Sequence, residues 1–382
     1  MRGSTERILT THVGSLPRSQ AVTDVLFSRE RGEIKDRHAA ARVISDAVAE
    51  VVRRQREVGV DIVSDGESSK ISYATYIADR FAGFGGDTPR EPGQDLVEFP
   101  RFMARLAASG ATAKYRRPRC VGEITLKDAE PLNDDLRNLR HAVEAAMPVE
   151  AFMNAASPGV LALFQPNDYY KTQDAYLEAL GAAMQSEYEA IVGAGFLLQI
   201  DAPDLGMGRH TMYRNASVAD YLMAAARHIE VLNHALRNLP ADRMRMHICW
   251  GNYEGPHHHD VPLADLLPIV IRAKPQALLF ESANPRHAHE WAVFSGQRIP
   301  DDKILVPGVL STTTNYVEHP ELVAERLIRF ADIVGRERVI AGTDCGFGTF
   351  GGFGPIDPDI AYMKLGSLAE GARIASKHLW RH

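Results

Sequence analysis

The sequence predicts an α/β fold, a (β/α)8 TIM-type barrel with an inserted excursion near residues 81–118. Short runs rich in Val, Ile and Leu alternate with longer stretches of helical period, which is the pattern of βα units around a parallel sheet. Many such units follow one another, and this favours a barrel over an open sheet. No Pro-, Gly- or Ser-rich linker divides the 382 residues, so we expect one domain spanning residues 1–382.

Nine segments have the length and composition of buried strands, one more than a closed barrel of eight strands needs. They are residues 8–13, 60–64, 120–126, 149–154, 196–201, 244–250, 277–281, 304–309 and 338–343. Helical patterns lie between them, among others at residues 38–58, 172–194, 218–238, 263–274, 320–334 and 360–378. In 218–238 the apolar residues recur at three- and four-residue steps, as expected of a helix with one buried face.

The segment 81–118 interrupts this alternation. It contains Gly, Pro and the start of a basic cluster formed by Lys114, Arg116, Arg117 and Arg119. We interpret the segment as a lid or a hairpin over one end of the barrel.

The composition excludes several classes of protein. With 43 Lys and Arg against 49 Asp and Glu the net charge is −6, so we expect no nucleic-acid partner, which would require a basic face. No run of about 18 apolar residues occurs, so we expect no membrane association and a cytoplasmic location. Three cysteines are too few for a disulfide framework and indicate reduced thiols. A homo-oligomer is compatible with the sequence.

Polar side chains stand where several predicted strands end. The set comprises His12, Asp65 with Glu67, Asp201, His247 with Cys249, Glu281, and Asp344 with Cys345. In an α/β barrel the functional groups come from the C-terminal ends of different strands. We therefore expect these side chains to form one shared site.

Four of these residues suit a zinc ion (Zn²⁺). Because strand side chains alternate, His247 and Cys249 point to the same face, while Glu281 and Cys345 arrive from other strand ends. Two thiolates, an imidazole and a carboxylate are a four-coordinate set that favours zinc over Mg²⁺ or Ca²⁺. The alternative is two buried cysteines, a core histidine and a salt-bridged glutamate. Two of only three cysteines stand at strand ends beside polar partners, which favours the metal site.

The charge of such a site indicates its chemistry. Two thiolates and a carboxylate leave a zinc site with a net charge of about −1, which makes it a poor activator of water. The same site would hold an incoming thiol as a nucleophilic thiolate near neutral pH. Sulfur alkylation is therefore the predicted class of reaction.

These residues resemble the catalytic domain of cobalamin-independent methionine synthase. The family pattern H-x-C, then Glu, then Cys matches MHICWGNY, LLFESANPRH and GTDCGFGTF, and further matches are TTHVGSLPR, DIVSDGES and LLQIDAPDL. The resemblance spans nearly the whole chain and implies a (β/α)8 barrel with zinc at the strand ends. It implies the zinc ligands His247, Cys249, Glu281 and Cys345.

The resemblance also implies how an amino-acid acceptor binds. Gly14 and Ser15 correspond to the loop that contacts it, and Glu67 and Asp201 correspond to carboxylates that bind its ammonium group. Paired carboxylates in a cleft would recognise a cation. The alternative is that both carboxylates cap helix N-termini.

The sequence departs from the family where the methyl donor binds. Phe164 is the nearest aromatic residue to the position of a pterin-stacking Trp, and Ser311 and Thr313 stand where an Asp and a His protonate the leaving nitrogen. Ala202 replaces the acidic residue that usually follows Asp201, and Asp204 could compensate.

These departures bring forward a related group, the epoxyalkane:coenzyme M transferases, in which a zinc-bound thiolate opens an epoxide. That reaction needs an acid for the alkoxide and a cation for the sulfonate. Arg18 is the candidate cation, and the candidate acids are His12, His257, His258, His259 and Tyr253. His257 could equally lie in a solvated loop, and Arg18 could be a surface residue. A zinc-free barrel like the uroporphyrinogen decarboxylases is a further alternative.

The sequence thus predicts an enzyme, a zinc-dependent S-alkyltransferase. Its expected partners are a small-molecule thiol and an alkyl or methyl donor, with methyl transfer to a thiol such as homocysteine as the first hypothesis because the acceptor residues are retained.

Overall fold

The computed structural model describes residues 1–89, 91–108, 115–352, 354 and 356–380. Lys114 of the predicted basic cluster lies outside these residues. The strands are β1 (Leu9–Thr10), β2 (Ile62–Val63), β3 (Phe84–Gly85), β4 (Arg119–Cys120), β5 (Glu150–Ala156), β6 (Leu197–Asp201), β7 (Met244–His247), β8 (Ala277–Phe280), β9 (Ile304–Pro307) and β10 (Ile340–Ala341).

The α-helices of the described residues outnumber the strands. They are α1 (Gln20–Glu30), α2 (Arg37–Glu57), α3 (Ile77–Arg80), α4 (Gln94–Val97), α5 (Pro100–Ala108), α6 (Glu130–Ala146), α7 (Pro158–Phe164), α8 (Gln173–Gly193), α9 (Val218–Ala235), α10 (Leu263–Val270), α11 (Trp291–Gly296), α12 (Pro320–Val334) and α13 (Pro358–Leu379). Side-chain oxygens of Asp36, Thr172 and Ser217 accept backbone N–H bonds at the first turns of α2, α8 and α9. These caps explain why those helices begin where they do.

Six strands form a curled parallel sheet in the order β2-β5-β6-β7-β8-β9. Parallel bridges from Leu305 to Val339 and from Gly308 to Gly342 extend the bonding towards β10, which pairs with β1. The N–H of Asp61 then donates to the Thr10 carbonyl at 3.2 Å, which links β1 to the start of β2. The α/β prediction is confirmed, and the arrangement is consistent with a TIM-type barrel.

The sheet separates two clusters of buried apolar residues. The smaller, inner cluster contains one or two residues from most of the strands, and the larger cluster lies between the outer face of the sheet and the helices. The inner cluster comprises Leu9, Val13, Ile62, Phe152, Leu197, Ala277, Leu279, Ile304, Val306 and Ile340. Buried Arg245 of β7 lies 3.9 Å from the Phe152 ring centroid and donates to the carbonyl of His12 at 2.6 Å. This packing holds the strands in place beneath the site.

The prediction that residues 120–126 form a strand of the barrel sheet was wrong. Residues 119–120 form β4, which pairs antiparallel with β3, and a bridge from Phe81 to Leu126 continues the pairing. The excursion therefore contributes one strand of an antiparallel pair and carries α4 and α5 between the two strands. Among the described residues, no helix is both long and apolar enough to cross a membrane.

Candidate metal centre

Two thiols and an imidazole converge where β7 and β10 end. The side chains of His247, Cys249 and Cys345 are buried, and their donor atoms all lie within 4.8 Å of one another. The two sulfur atoms are 3.8 Å apart. Two sulfurs bound to one tetrahedral zinc at about 2.3 Å would themselves be separated by about 3.8 Å. The donor set therefore fits a zinc ion both chemically and in its sulfur spacing.

Neighbouring groups orient the His247 side chain and raise the pKa values of His247 and Cys249. Its Nε2 lies 3.2 Å from the carbonyl oxygen of Asp344, and its Nδ1 lies 3.4 Å from Asp201 Oδ1. Burial lowers the pKa of His247, but bonding to Asp201 and Cys249 outweighs it and raises this pKa to about 10. The bond with Cys345, together with burial, raises the pKa of Cys249 well above its usual value. A cation bound here would displace these protons.

The fourth predicted ligand, Glu281, lies beside this group but outside it. Its Oε1 accepts the N–H of Trp250 at 2.8 Å, and its Oε2 accepts Asn284 Nδ2 at 3.0 Å. Its charge still contributes to the raised pKa of Cys249. Its role as a ligand remains a prediction.

A cavity of about 760 Å³ opens onto the three donors. Residues from the ends of the sheet strands contribute to its wall, and so do the aromatic side chains of Tyr73, Phe164 and Phe350. The excursion contributes a further part of the wall, formed by Thr88, Pro89, Glu91, Gly93 and Leu96. The interpretation of the excursion as a cover for one end of the sheet agrees with this position.

Glu67 and Asp201 face the same cavity as an acidic pair. Each oxygen of Asp201 accepts a side-chain amide at 2.8 Å, one from Asn154 and one from Gln199, so this carboxylate is not occupied in capping a helix. Buried Glu67 Oε2 accepts no hydrogen bond within the described structure, and the Arg18 guanidinium is 4.0 Å from it. Burial and the charge of Asp201 raise the pKa of Glu67 to about 8. Such a pair favours a cationic ligand.

Gly14 and Ser15 lie next to this pair. Ser15 lines the cavity, and Gly14 has a φ of +144°. A Cβ on Gly14 would stand 2.3 Å from Asn154 Oδ1, so a glycine is required for Asn154 to reach Asp201.

Replacing Gly14 by alanine is therefore expected to displace Asn154 and to release Asp201. We expect a loss of about 1–3 kcal/mol in the free energy of unfolding and a higher KM for an amine-bearing thiol. Urea unfolding and steady-state kinetics measure the two effects. Gly366→Ala is the matched control, because a Cβ at Gly366 in α13 meets nothing within 4 Å. Equal stability and KM in the two variants would contradict the packing argument.

Three predicted site residues are engaged in other contacts. Arg18 donates its Nε and Nη2 to the Glu67 carbonyl at 3.1 and 2.8 Å and its Nη1 to the Gly348 carbonyl, so its donors serve the backbone. His12 bonds Gln55 Oε1 at 2.7 Å and accepts the Gly14 N–H at 3.2 Å. Burial lowers the pKa of His12 to about 4. His257 bonds Asp260 at 2.9 Å and the Tyr253 carbonyl at 3.1 Å. None of the three is among the described residues that line the cavity, and these contacts do not favour a catalytic or sulfonate-binding role.

Of the residues at which the sequence departs from the family, Phe164 lies in the cavity wall and Asp204 does not. Phe164 lines the cavity in edge contact with Tyr73, their ring centroids 6.3 Å apart. Asp204 points elsewhere, since its oxygens bond Ser157 Oγ at 2.7 Å and His228 Nδ1 at 2.8 Å. It therefore does not replace the missing carboxylate after Asp201.

Sequence reasoning missed several residues of this region. Asn154 and Gln199 orient Asp201, and His210 lines the cavity wall. Asp344, which the sequence placed at a strand end, accepts the N–H groups of Ser282 and Ala283, both at 2.8 Å, and so fixes the end of β8. Asn154 and Gln199 are polar residues within otherwise apolar predicted strands, and this could have indicated that they belong to the site.

A solved structure shares this architecture. The B12-independent methionine synthase from Shewanella sp. W3-18-1, in complex with selenomethionine, matches with a TM-score of 0.74 over 98% of this chain and 99% of that chain, at 18% sequence identity. The fold is thus that of the methionine-synthase-like α/β proteins.

Sequence comparisons extend this result. A methionine synthase from Saccharolobus solfataricus is 24% identical over 379 residues, covering 97% of this chain and 96% of that protein. One from Sulfurisphaera tokodaii is 23% identical over 373 residues, covering 97% and 93%. The family model described as "Cobalamin-independent synthase, Catalytic domain" matches residues 8–91 and 159–353. The chain belongs to this family, and the resemblance inferred from the sequence is confirmed.

Proposed function

We propose that this chain is a zinc-dependent thiol S-alkyltransferase in a (β/α)8 barrel, and that it transfers a methyl group to an amino-acid thiol such as homocysteine. One observation carries the proposal: the donors of His247, Cys249 and Cys345 line the same cavity as the paired carboxylates of Glu67 and Asp201. One part of the cavity suits a sulfur atom and the other suits an ammonium group. Homocysteine has both groups, and the curated relatives are named methionine synthases.

The proposed zinc would be held by His247, Cys249 and Cys345, with Glu281 as the fourth ligand. Bound there, zinc would keep the acceptor thiol ionised near neutral pH. The carbonyl of Asp344, 3.2 Å from Nε2, orients the His247 imidazole. The N–H of Gly251 donates to the Cys249 sulfur at 3.2 Å and favours its thiolate form.

Glu67 and Asp201 would orient the acceptor. An ammonium group between them would lower the pKa of Glu67 from about 8 and restore its charge. Asn154 and Gln199 keep Asp201 fixed, so little freedom is lost when the acceptor binds. The acceptor sulfur would then attack the methyl carbon in line, with much of the rate arising from this positioning.

The alternatives lack comparable support. Coenzyme M would need a free cation for its sulfonate, and Arg18 donates to backbone carbonyls instead. A decarboxylase-like barrel without zinc does not account for two cysteines and a histidine brought within 4.8 Å.

X-ray absorption at the zinc edge tests the proposal on the purified chain. We expect sulfur ligands to zinc, two of them at the cysteine site, and a sulfur contribution that increases when homocysteine is added and is unchanged by coenzyme M. A shell that homocysteine does not alter, or protein that binds no zinc, would overturn the proposal.

A further inference from the structure

A second cluster of histidines is buried behind the cavity wall, separate from the cysteine site. His257 Nδ1 and His287 Nε2 lie 2.9 and 2.8 Å from the same oxygen of Asp260, and these three donor atoms are within 4.8 Å of one another. His210 Nδ1 lies 3.1 Å from the other oxygen of Asp260. All four side chains are at most 4% exposed. We propose that this cluster binds a divalent transition metal ion of the zinc type.

The ring nitrogens that face away from Asp260, His287 Nδ1 and His257 Nε2, have the partners that ligating histidines have in metal sites. His287 bonds Glu290 through Nδ1 at 2.8 Å, and Glu290 is itself fixed by the N–H of Leu263 at 2.8 Å. His257 donates Nε2–H to the carbonyl of Tyr253 at 3.1 Å. A ligating histidine nearly always donates its second N–H to a carboxylate or a backbone carbonyl, which fixes the tautomer and the ring. Both histidines have this arrangement.

Two buried atoms of the cluster also lack a hydrogen-bond partner. Asp260 Oδ1 and His210 Nδ1 contact each other at 3.1 Å as an ion pair, but neither atom forms a well-aligned hydrogen bond with a described group. Leaving such groups unpaired in the interior is costly, and a cation beside them removes that cost. Ligands at about 2.1 Å from a shared tetrahedral ion stand about 3.4 Å apart, so the spacings of 2.8–3.1 Å around Asp260 would widen by a few tenths of an ångström when an ion binds.

The geometry leaves a place for a cation at the centre of the cluster. His257 Nδ1 and His287 Nε2 face the same oxygen of Asp260, while their other nitrogens face the Tyr253 carbonyl and Glu290. A divalent ion bound to the two inner nitrogens and to Asp260 would lie beside two carboxylates, which balance its charge. Nitrogen and oxygen ligands without sulfur suit Zn²⁺ and similar ions.

The ion would join three segments of the chain. His210 follows β6, His257 and Asp260 follow β7, and His287 follows β8. His210 and Tyr253 both line the cavity. The bound ion would therefore fix the wall of the cavity rather than take part in the reaction.

Zinc counting tests this inference independently of the proposed function. Protein equilibrated with Zn²⁺ and freed of excess is expected to hold two ions per chain, one with a sulfur-containing shell and one with only nitrogen and oxygen ligands. Asp260→Asn should lose the second ion and keep the sulfur shell, whereas Cys249→Ala should do the reverse. His141→Ala is the matched control, since this histidine is exposed and belongs to no group of possible metal ligands among the described residues. A single ion in the unmodified chain, or equal zinc content in Asp260→Asn, would overturn the inference.

Nitrogen-15 NMR of the histidines gives a second measurement that needs no variant. With Zn²⁺ present, His257 and His287 are expected to carry one proton each. Two imidazolium rings in zinc-saturated protein would show that the cluster holds protons only.

Discussion

Replacing Cys249 by alanine is expected to remove the sulfur-bound zinc and to lower kcat/KM for methyl transfer by more than a hundredfold. The variant leaves Cys345 and His247 with one sulfur fewer in a buried site where the two sulfurs are 3.8 Å apart. Loss of one ligand should cost about 3 kcal/mol or more of transition-state stabilisation, and each 1.36 kcal/mol is about tenfold in rate. Zinc analysis and steady-state kinetics with homocysteine measure both effects.

Cys120→Ala is the control for this variant. Cys120 is also buried, but it lies on β4, outside the six-stranded sheet, and its sulfur donates to the Gly122 carbonyl at 3.4 Å. We expect it to retain zinc and activity. If Cys249→Ala behaved like Cys120→Ala, the reaction would not take place at the cysteine site.

The second large effect is expected at the acidic pair. Glu67→Gln should raise KM for homocysteine by about 10- to 100-fold, since a charge-assisted hydrogen bond contributes about 1.5–3 kcal/mol. Burial and the charge of Asp201 raise the pKa of Glu67 to about 8, so a neutral amide of the same shape should be tolerated and the fold retained. Kinetics with homocysteine and with 4-mercaptobutanoate, the same thiol acid without the amine, measure the effect.

The amine-free thiol separates recognition from general damage. Its KM should be nearly the same with Glu67→Gln as with the unmodified chain. Glu91→Gln serves as the matched variant, because Glu91 also lines the cavity but is 71% exposed and pairs with Arg214. Equal losses for both thiols would show that Glu67 does not bind the ammonium group.

Much of the fold could be predicted because its helices and strands follow simple periodicities. The predicted helix 320–334 coincides with α12, and eight of the nine predicted strands overlap strands of the sheet and its extension through β10 and β1. Most of the strands are shorter than predicted, as where β7 ends at His247, before Cys249, whereas β5 extends to Ala156, beyond its predicted end. The segment 120–126 has strand composition, but composition does not determine which strand it pairs with.

Site residues could be predicted where their position in or just after a strand determines the direction of the side chain. Residues in loops could be predicted less well. His247 and Cys249 follow from alternation along β7 and Cys345 from the end of β10. The contacts of Arg18 depend on a long-range neighbour, the Gly348 carbonyl, that no local pattern reveals. His257 bonds Asp260, which is only three residues away, but the sequence does not show that this pair is buried. The same holds for His210, which reaches the cavity from a short 3₁₀ turn after β6.

The cavity is assembled from two structurally separate sources. The proposed thiol end follows the strands of the sheet, whereas Thr88, Pro89, Glu91, Gly93 and Leu96 come from a segment outside it. Loops on a rigid scaffold tolerate substitution better than the scaffold does. Directed evolution restricted to this segment should therefore alter the shape and charge of one wall of the cavity while the three metal-binding side chains stay in place.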